Sequence, residues 1–227
     1  RTVELGRAVG ELVRTVAEAS PNAANADDPQ LAGMVDDDDP GDAALLERIE
    51  TEYLCDRRAA RNLVAFVREQ VASTGAAPDD RTIVVERFRD ELGDWRICIL
   101  SPFGKPVHAP WAMAIEEHLL AEHGLEATAL WSDDGIALRL PDIDALPPVD
   151  ALLPDPDTIE DLLVAKLGGS ALFASRFREV ATRALVLPLS SFRRRSPLWL
   201  QRMRAADVLR VAQEQASFPM ILETYRE

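Results

Sequence analysis

Residues 80–115 read DRTIVVERFRDELGDWRICILSPFGKPVHAPWAMAI, and this stretch decides the fold. The β-branched residues of 82–88 predict one strand, and the alternating, then apolar, residues of 95–100 predict a second. Gly93 lies between them in a short polar segment that is typical of a turn. The stretch therefore predicts an antiparallel β-hairpin, followed by a loop and the start of a helix.

The pattern continues beyond the hairpin. The further predicted elements are a tight loop at 102–106, a helix at 111–122, and strands at 127–131 and 136–140. Pro110 suits the first turn of that helix, where its missing N–H is not needed. The residues Asp133-Asp134-Gly135 give a hairpin signal between the last two strands. We therefore predict a β-β-α-β-β module at 81–140.

The flanking regions carry helical spacing instead. Predicted helices cover 3–19, a segment from Ala43 capped by Asp42, 56–73, 158–167, 172–185 and 198–215. The Asp- and Asn-rich residues 22–42 predict a flexible acidic loop, and the Pro- and Asp-rich residues 141–157 predict a connector. The expected division is N-terminal helices at 1–75, the module at 81–140, the connector, and a helical part at 158–227. The expected fold class is α+β and mostly helical.

Charge is distributed unevenly along the chain. The 227 residues carry a formal net charge of −14, which argues against a surface that wraps nucleic acid as a whole. Residues 171–227 nevertheless contain 10 arginines and 5 acidic residues, a local balance of +5. This asymmetry predicts one basic face.

This sequence lacks the motifs of several kinds of chemistry. It contains no glycine-rich phosphate loop ending in Lys-Ser or Lys-Thr, so we do not expect it to hydrolyse ATP by itself. His-Glu-x-x-His and paired cysteines are absent, so no metal or cofactor is expected. Neither a signal peptide nor a membrane-length apolar run is evident, and a cytoplasmic location is expected. The missing initiator Met and the abrupt end suggest part of a longer protein.

The first candidate DNA contact is the loop 101–108, SPFGKPVH, which enters a helix. Backbone N–H groups at a helix start attract phosphate. Lys105 and His108 are predicted to add contacts, and Trp111 is predicted to stack on a base. The alternative is an ordinary strand-to-helix turn with Trp111 in the core.

The second candidate is the basic segment around Arg193, Arg194 and Arg195, together with Trp199 and Arg202. Three arginines before a predicted helix, with Trp199 beside them, have the outline of a phosphate clamp with a stacking surface. The alternatives are a solvated basic loop, or a basic face that packs on an acidic one within a larger protein.

Residues 80–115 resemble the large helicase-related (Lhr) family of superfamily 2 helicases. Three further stretches agree with the family in order: SDDGI at 132–136, LGGSALF at 167–173, and SPLW at 196–199 continuing to Ala206, with 218–227 closing the resemblance. At 189–192 the sequence LSSF departs from the more arginine-rich family pattern. The resemblance covers most of the chain.

The resemblance implies a part of the domain that follows two RecA-like ATPase lobes and a winged helix, with winged-helix-like helical elements of its own. It implies a non-catalytic accessory domain of an ATP-dependent 3′-to-5′ helicase, which helps to form the channel for single-stranded DNA or an RNA:DNA hybrid. ATP and Mg²⁺ would then bind to the ATPase lobes. Two alternatives stay open: a winged-helix glycosylase-like base-excision domain, for which Gln213-x-Gln215 is a weak signal, and a protein-interaction module that docks the lobes.

Overall fold

Four short strands form one antiparallel sheet in the computed structural model, which describes residues 1–20, 28, 32–187, 197–214 and 218–226. The strands are β1 Val84–Arg89, β2 Trp95–Leu100, β3 Thr128–Trp131 and β4 Gly135–Leu140, in the order β1-β2-β4-β3. Both predicted hairpins are therefore present, and β2 and β4 are the central strands. The register pairs Val84 with Leu100 and Leu100 with Gly135.

One face of the sheet is buried. Its apolar side chains alternate along the central strands, as a strand period of two requires, and they are Ile97, Ile99, Ile136, Leu138 and Leu140. The helix α4, Lys105–His123, contacts β3 and β4. Its buried residues Ile115 and Leu119 contribute to the same core.

The start of α4 differs from the prediction. The helix begins at Lys105, not at Trp111, and Pro110 lies inside it. Gly104 precedes the helix with φ of 85°, a conformation that glycine adopts without strain. Pro106 lies in the first turn, where no N–H donor is needed, so only Pro110 costs a helical hydrogen bond. Pro102 and Pro106 suggested a tight loop, and Pro110 suggested the first turn of the helix, because the sequence does not reveal this register.

Three helices precede the sheet: α1 Val3–Glu18, α2 Pro40–Tyr53 and α3 Arg57–Thr74. Their shared core contains Val16, Leu46, Ile49, Ala60, Val64 and Val67. The side chain of Asp39 caps α2 by accepting from Gly41 N–H at 2.9 Å. The prediction that Asp42 caps a helix from Ala43 is therefore wrong, since Asp42 is already inside α2.

The described part of the acidic segment is tied to arginines. Asp37 pairs with Arg57 at 2.9 Å and with Arg61. Asp42 pairs with Arg68, whose guanidinium also donates to Ser20 Oγ at 2.8 Å. Residues 32–42 are therefore held against α3, contrary to the expected flexible loop; residues 21–27 and 29–31 lie outside the described residues.

The chain divides into two compact units, Arg1–Ala151 and Leu152–Glu227. A 3-10 helix at Val149–Leu152 spans this boundary. In the second unit the helices are α5 Ile159–Gly168, α6 Ala171–Arg183, α7 Leu198–Gln213 and α8 Pro219–Arg226. Their core contains Phe173, Phe177, Val180, Leu209, Met220 and Ile221. The fold is thus α+β and mostly helical, as predicted, while the winged-helix character and the four-part division stay predictions.

Candidate nucleic-acid interface

Helix α7 carries an exposed aromatic and basic face. Ala205, Leu209 and Ala212 bury one side of the helix. Trp199 is 65% exposed, and Arg202 is exposed three residues further on. Side chains three or four positions apart are neighbours on a helix surface, so the indole and the guanidinium lie side by side.

The same face extends along the helix. Met203 is 50% exposed, and Arg210 is exposed as well. The spacing 199, 203, 206 and 210 follows the helical period, so these residues continue the stripe that starts at Trp199. The sequence analysis did not single out Met203 or Arg210; the helical period from Trp199 was the signal that could have found them. At about 1.5 Å per residue, the stripe from Trp199 to Arg210 is about 16 Å long.

Arg193, Arg194 and Arg195 lie outside the described residues, and so does Gln215. Arg176 on α6 pairs with Glu179 at 3.2 Å, which offsets part of its charge.

The start of α4 has an internal anion. Asp133, in the β3–β4 turn, accepts a hydrogen bond from the backbone N–H of Lys105 at 3.1 Å. That N–H holds the pKa of the Asp133 carboxyl below its ordinary value. The side chain of Lys105 itself is exposed to solvent. A carboxylate therefore already accepts from the helix start where the sequence predicts a phosphate. The contact with DNA that is predicted for Lys105 would then come from its side chain.

His108 does not reach the surface. Its side chain has 0% exposure, with Nδ1 2.8 Å from the Ser132 carbonyl oxygen and Nε2 3.1 Å from Ser101 Oγ. Both ring nitrogens are thus occupied by protein oxygens, which corrects the prediction that His108 contacts DNA. Trp111 is half-buried. Its exposure is lower than the predicted stacking on a base would favour and higher than the core alternative would require.

Gln213 has a structural use. Its Nε2 donates to the Gly168 carbonyl oxygen at 2.8 Å, at the end of α5. Tyr225 Oη donates to the Val164 carbonyl oxygen at 3.1 Å in the same region. The side chain of Gln213 therefore stabilises the packing within the second unit, and its hydrogen bond gives no support to a base-reading role.

Within the described ranges, no group of three or more His, Cys, Asp or Glu side chains is arranged to hold a metal ion. Among the helices of the described residues, none is long and apolar enough to cross a membrane.

These features define a class: a mostly helical α+β domain that has no ATPase motif and exposes a Trp- and Arg-bearing helix face. A family model described as DEAD/H associated matches residues 77–227. The chain therefore belongs to the DEAD/H associated family, in the form present in Lhr helicases.

The relatives that the chain matches are much longer than the matched region. The chain is 48% identical over 193 residues to an Lhr helicase/probable uracil glycosylase of Mycolicibacterium smegmatis, covering 82% of this chain and 13% of that protein. It is 43% identical over 187 residues to the Lhr helicase/uracil glycosylase of Escherichia coli, covering 82% of this chain and 12% of that protein. The structure of Mycobacterium smegmatis helicase Lhr bound to ssDNA and AMP-PNP matches all of this chain and 26% of its own, with a TM-score of 0.73 and 42% identity. The chain thus spans a small fraction of the relatives it matches.

Proposed function

We propose that this chain is a non-catalytic accessory domain of an ATP-dependent 3′-to-5′ helicase, and that it helps to form the channel for the single-stranded tracking strand. The observation that carries the proposal is the match of its whole length to a helicase structure bound to single-stranded DNA. The same proposal includes RecA-like lobes and a winged helix in the same polypeptide, with ATP and Mg²⁺ bound there. It also includes RNA:DNA hybrids as substrates and a cytoplasmic location.

The α7 face supplies the physical basis for contact with a single strand. An exposed indole such as that of Trp199 stacks on any base, and this contact contributes about 1–3 kcal/mol. The guanidinium of Arg202 binds phosphate oxygens in a forked geometry. A strand that lies along the stripe would meet Trp199 and Arg202 at one end and Arg210 at the other. Such contacts do not select a base sequence, which suits a protein that moves along DNA.

The charge distribution supports the same surface. Residues 171–227 have a balance of +5, and the other residues therefore have a balance of −19, given the total of −14. Phosphates are attracted by the positive balance of residues 171–227 and repelled by the negative balance of the other residues. The strand is therefore expected to contact the helical C-terminal part.

No observation favours the base-excision alternative for this segment. The matched relatives are described as helicase and uracil glycosylase together, but this chain corresponds to only 13% and 12% of their lengths. Gln213 is engaged with the carbonyl oxygen of Gly168. A glycosylase activity in such relatives is therefore no guide to what this part does.

The decisive experiment uses a Trp199→Ala/Arg202→Ala double variant of the full-length protein. Affinity for a fluorescent single-stranded oligonucleotide is measured at several salt concentrations, together with DNA-stimulated ATP hydrolysis. We expect affinity to fall about 5- to 160-fold from loss of stacking alone. We also expect the slope of log affinity against log salt to become shallower by about 0.7, the value for one phosphate contact on a single strand.

A matched control removes equivalent groups far from α7 in sequence. Arg58 is exposed on α3 and Leu54 is 89% exposed in the α2–α3 turn, so Arg58→Ala/Leu54→Ala changes charge and apolar area in a similar way. The control is expected to leave affinity and salt slope unchanged. If both double variants behave alike, the DNA contact on α7 is refuted. A loss of ATP hydrolysis in the absence of DNA would instead favour the docking alternative.

A further inference from the structure

The buried imidazole of His108 connects three separate segments of the first unit. Ser101 follows β2, Ser132 follows β3, and His108 itself lies in the first turn and a half of α4. Ser101 is 1% exposed and His108 is 0% exposed, so no solvent competes for these hydrogen bonds. A backbone carbonyl oxygen only accepts, so Nδ1 carries the proton that is donated to Ser132. Nε2 then accepts from the Ser101 hydroxyl, while that hydroxyl oxygen accepts from Phe103 N–H at 3.4 Å.

Two more hydrogen bonds join the same segments. The backbone N–H of Ser101 donates to the Asp134 carbonyl oxygen at 3.1 Å. The backbone N–H of Lys105 donates to Asp133 Oδ1 at 3.1 Å. The β3–β4 turn is thereby held to the end of β2 and to the start of α4. Of these three hydrogen bonds, the one from His108 to Ser132 is made by a fully buried side chain.

His108 lies between the two candidate DNA contacts of α4. Lys105 precedes it by three residues and Trp111 follows it by three, so each of the two side chains is a neighbour of His108 on the helix surface. Lys105 is exposed, Trp111 is half-buried, and His108 is fully buried. A change in the His108 bonds would move the first turns of α4 relative to the β3–β4 turn, and both outer side chains would move with it.

We infer that His108 is a positioning residue for the DNA interface: it sets where Lys105 and Trp111 are presented without touching DNA. The inference rests on the proposed function, because it assumes that the full-length protein binds a single strand. A rigid supporting contact of this kind preserves a functional geometry that the outer residues cannot hold by themselves.

Two conservative variants separate positioning from simple loss of packing. The amide nitrogen of an asparagine reaches roughly the place of Nδ1, so His108→Asn keeps a donor for Ser132. The amide of a glutamine reaches roughly the place of Nε2, so His108→Gln keeps a partner for Ser101 and loses the bond to Ser132. Both variants remove the imidazole from the core. We expect single-strand affinity to fall about 3- to 10-fold in His108→Gln and less than about 2-fold in His108→Asn, at a temperature where both are fully folded.

A double-mutant cycle with Lys105→Ala provides the second readout. Lys105→Ala alone is expected to lower affinity about 3- to 10-fold, as loss of one phosphate contact does. In the His108→Gln background the same change should lower affinity less than about 2-fold, because the lysine is already misplaced. Purely structural loss predicts additive effects instead. Should His108→Gln fail to fold, His108→Leu, which also loses the bond to Ser132 and fills part of the space of the imidazole, takes its place in the cycle.

The outcomes are distinct from those of the proposed function. Equal effects of Lys105→Ala in both backgrounds, or equal affinities of the asparagine and glutamine variants, would overturn the positioning role. So would a Lys105→Ala variant with unchanged affinity, since there would be no contact to position. If the unmodified full-length protein does not bind the oligonucleotide, the proposed function itself fails, and the α7 variants would show the same result.

Discussion

Arg68→Met should destabilise the three N-terminal helices strongly. The Arg68 guanidinium donates to Ser20 Oγ at 2.8 Å, to the Met34 carbonyl oxygen at 3.0 Å and to Asp42 Oδ2 at 3.1 Å, and it also bonds to the other Asp42 oxygen. The side chains of Arg68 and Asp42 are each only 12% exposed. Methionine preserves the length of the side chain and its apolar stem, so the substitution removes the charge and the donors with little change in volume.

The magnitude follows from what is left without a partner. Removing one member of a buried ion pair costs about 3–5 kcal/mol, since the other charge remains buried. Asp42 keeps one donor, the backbone N–H of Asp36 at 2.9 Å, and water has limited access. We therefore expect the free energy of unfolding of these helices to fall by about 2–4 kcal/mol. This loss is somewhat smaller than the full cost, because Asp42 keeps one donor.

Amide hydrogen exchange read by mass spectrometry measures this loss locally in the full-length protein. Peptides from α1, α2 and α3 should exchange about 30- to 700-fold faster, because each 1.4 kcal/mol is a factor of ten. The matched control is Arg48→Met on α2, where the pair with Glu52 is about half exposed on both sides. Exchange in that variant should stay near that of the unmodified protein. Similar exchange in both variants would refute the assignment of Arg68 as the central contact of these helices.

The pH dependence of the same variant has a defined sign. The hydrogen bond from Arg68 lowers the pKa of Asp42 from its ordinary value. A carboxyl with a lowered folded pKa contributes stability above its unfolded pKa of about 3.9, and this contribution is lost as pH falls through the folded pKa. The stability difference between the unmodified protein and Arg68→Met should therefore be constant from about pH 8 to pH 5 and shrink below about pH 4. A difference that grows on acidification would contradict this coupling.

Two further substitutions test other contacts. Gly10→Ala would place its Cβ 2.5 Å from the backbone nitrogen of Asp80, so it should destabilise α1 by about 1–2 kcal/mol despite the better helix propensity of alanine, as measured by urea unfolding; a gain in stability would show that α1 does not pack this closely. Ser170→Ala removes the side-chain cap that accepts from Phe173 N–H at 3.1 Å, so it should cost about 1 kcal/mol and speed exchange in α6 alone. An unchanged α6 would mean that the cap contributes nothing.

The sheet could be predicted from the sequence because its signals are local. Strand alternation and the glycines at 93 and 135 lie within each hairpin, so a short window contains all the information. The start of α4 could not be predicted in this way. Two prolines there suggested a loop, while the helix in fact uses Gly104 as its first boundary and accommodates Pro110 internally.

The contacts that proved most informative join distant residues. Arg68 meets Ser20 and Asp42, which lie 48 and 26 residues away. His108 meets Ser132, 24 residues further along the chain. A histidine in a polar loop is as compatible with a surface site as with a buried one, so the sequence favoured a DNA contact. Only the tertiary arrangement shows that both of its nitrogens are occupied.

The two candidate surfaces therefore differ in the kind of attraction they offer to DNA. At the start of α4, the Lys105 N–H lowers the pKa of the Asp133 carboxyl from its ordinary value, and a phosphate approaching there would meet a carboxylate. The exposed Lys105 side chain is what this site adds. On α7, Arg202 lies beside an indole that is largely exposed, and Arg210 lies at the other end of the same face, in the part of the chain with a positive balance. Most of the salt-dependent affinity of the described residues is therefore expected from α7, with the start of α4 contributing about one phosphate contact.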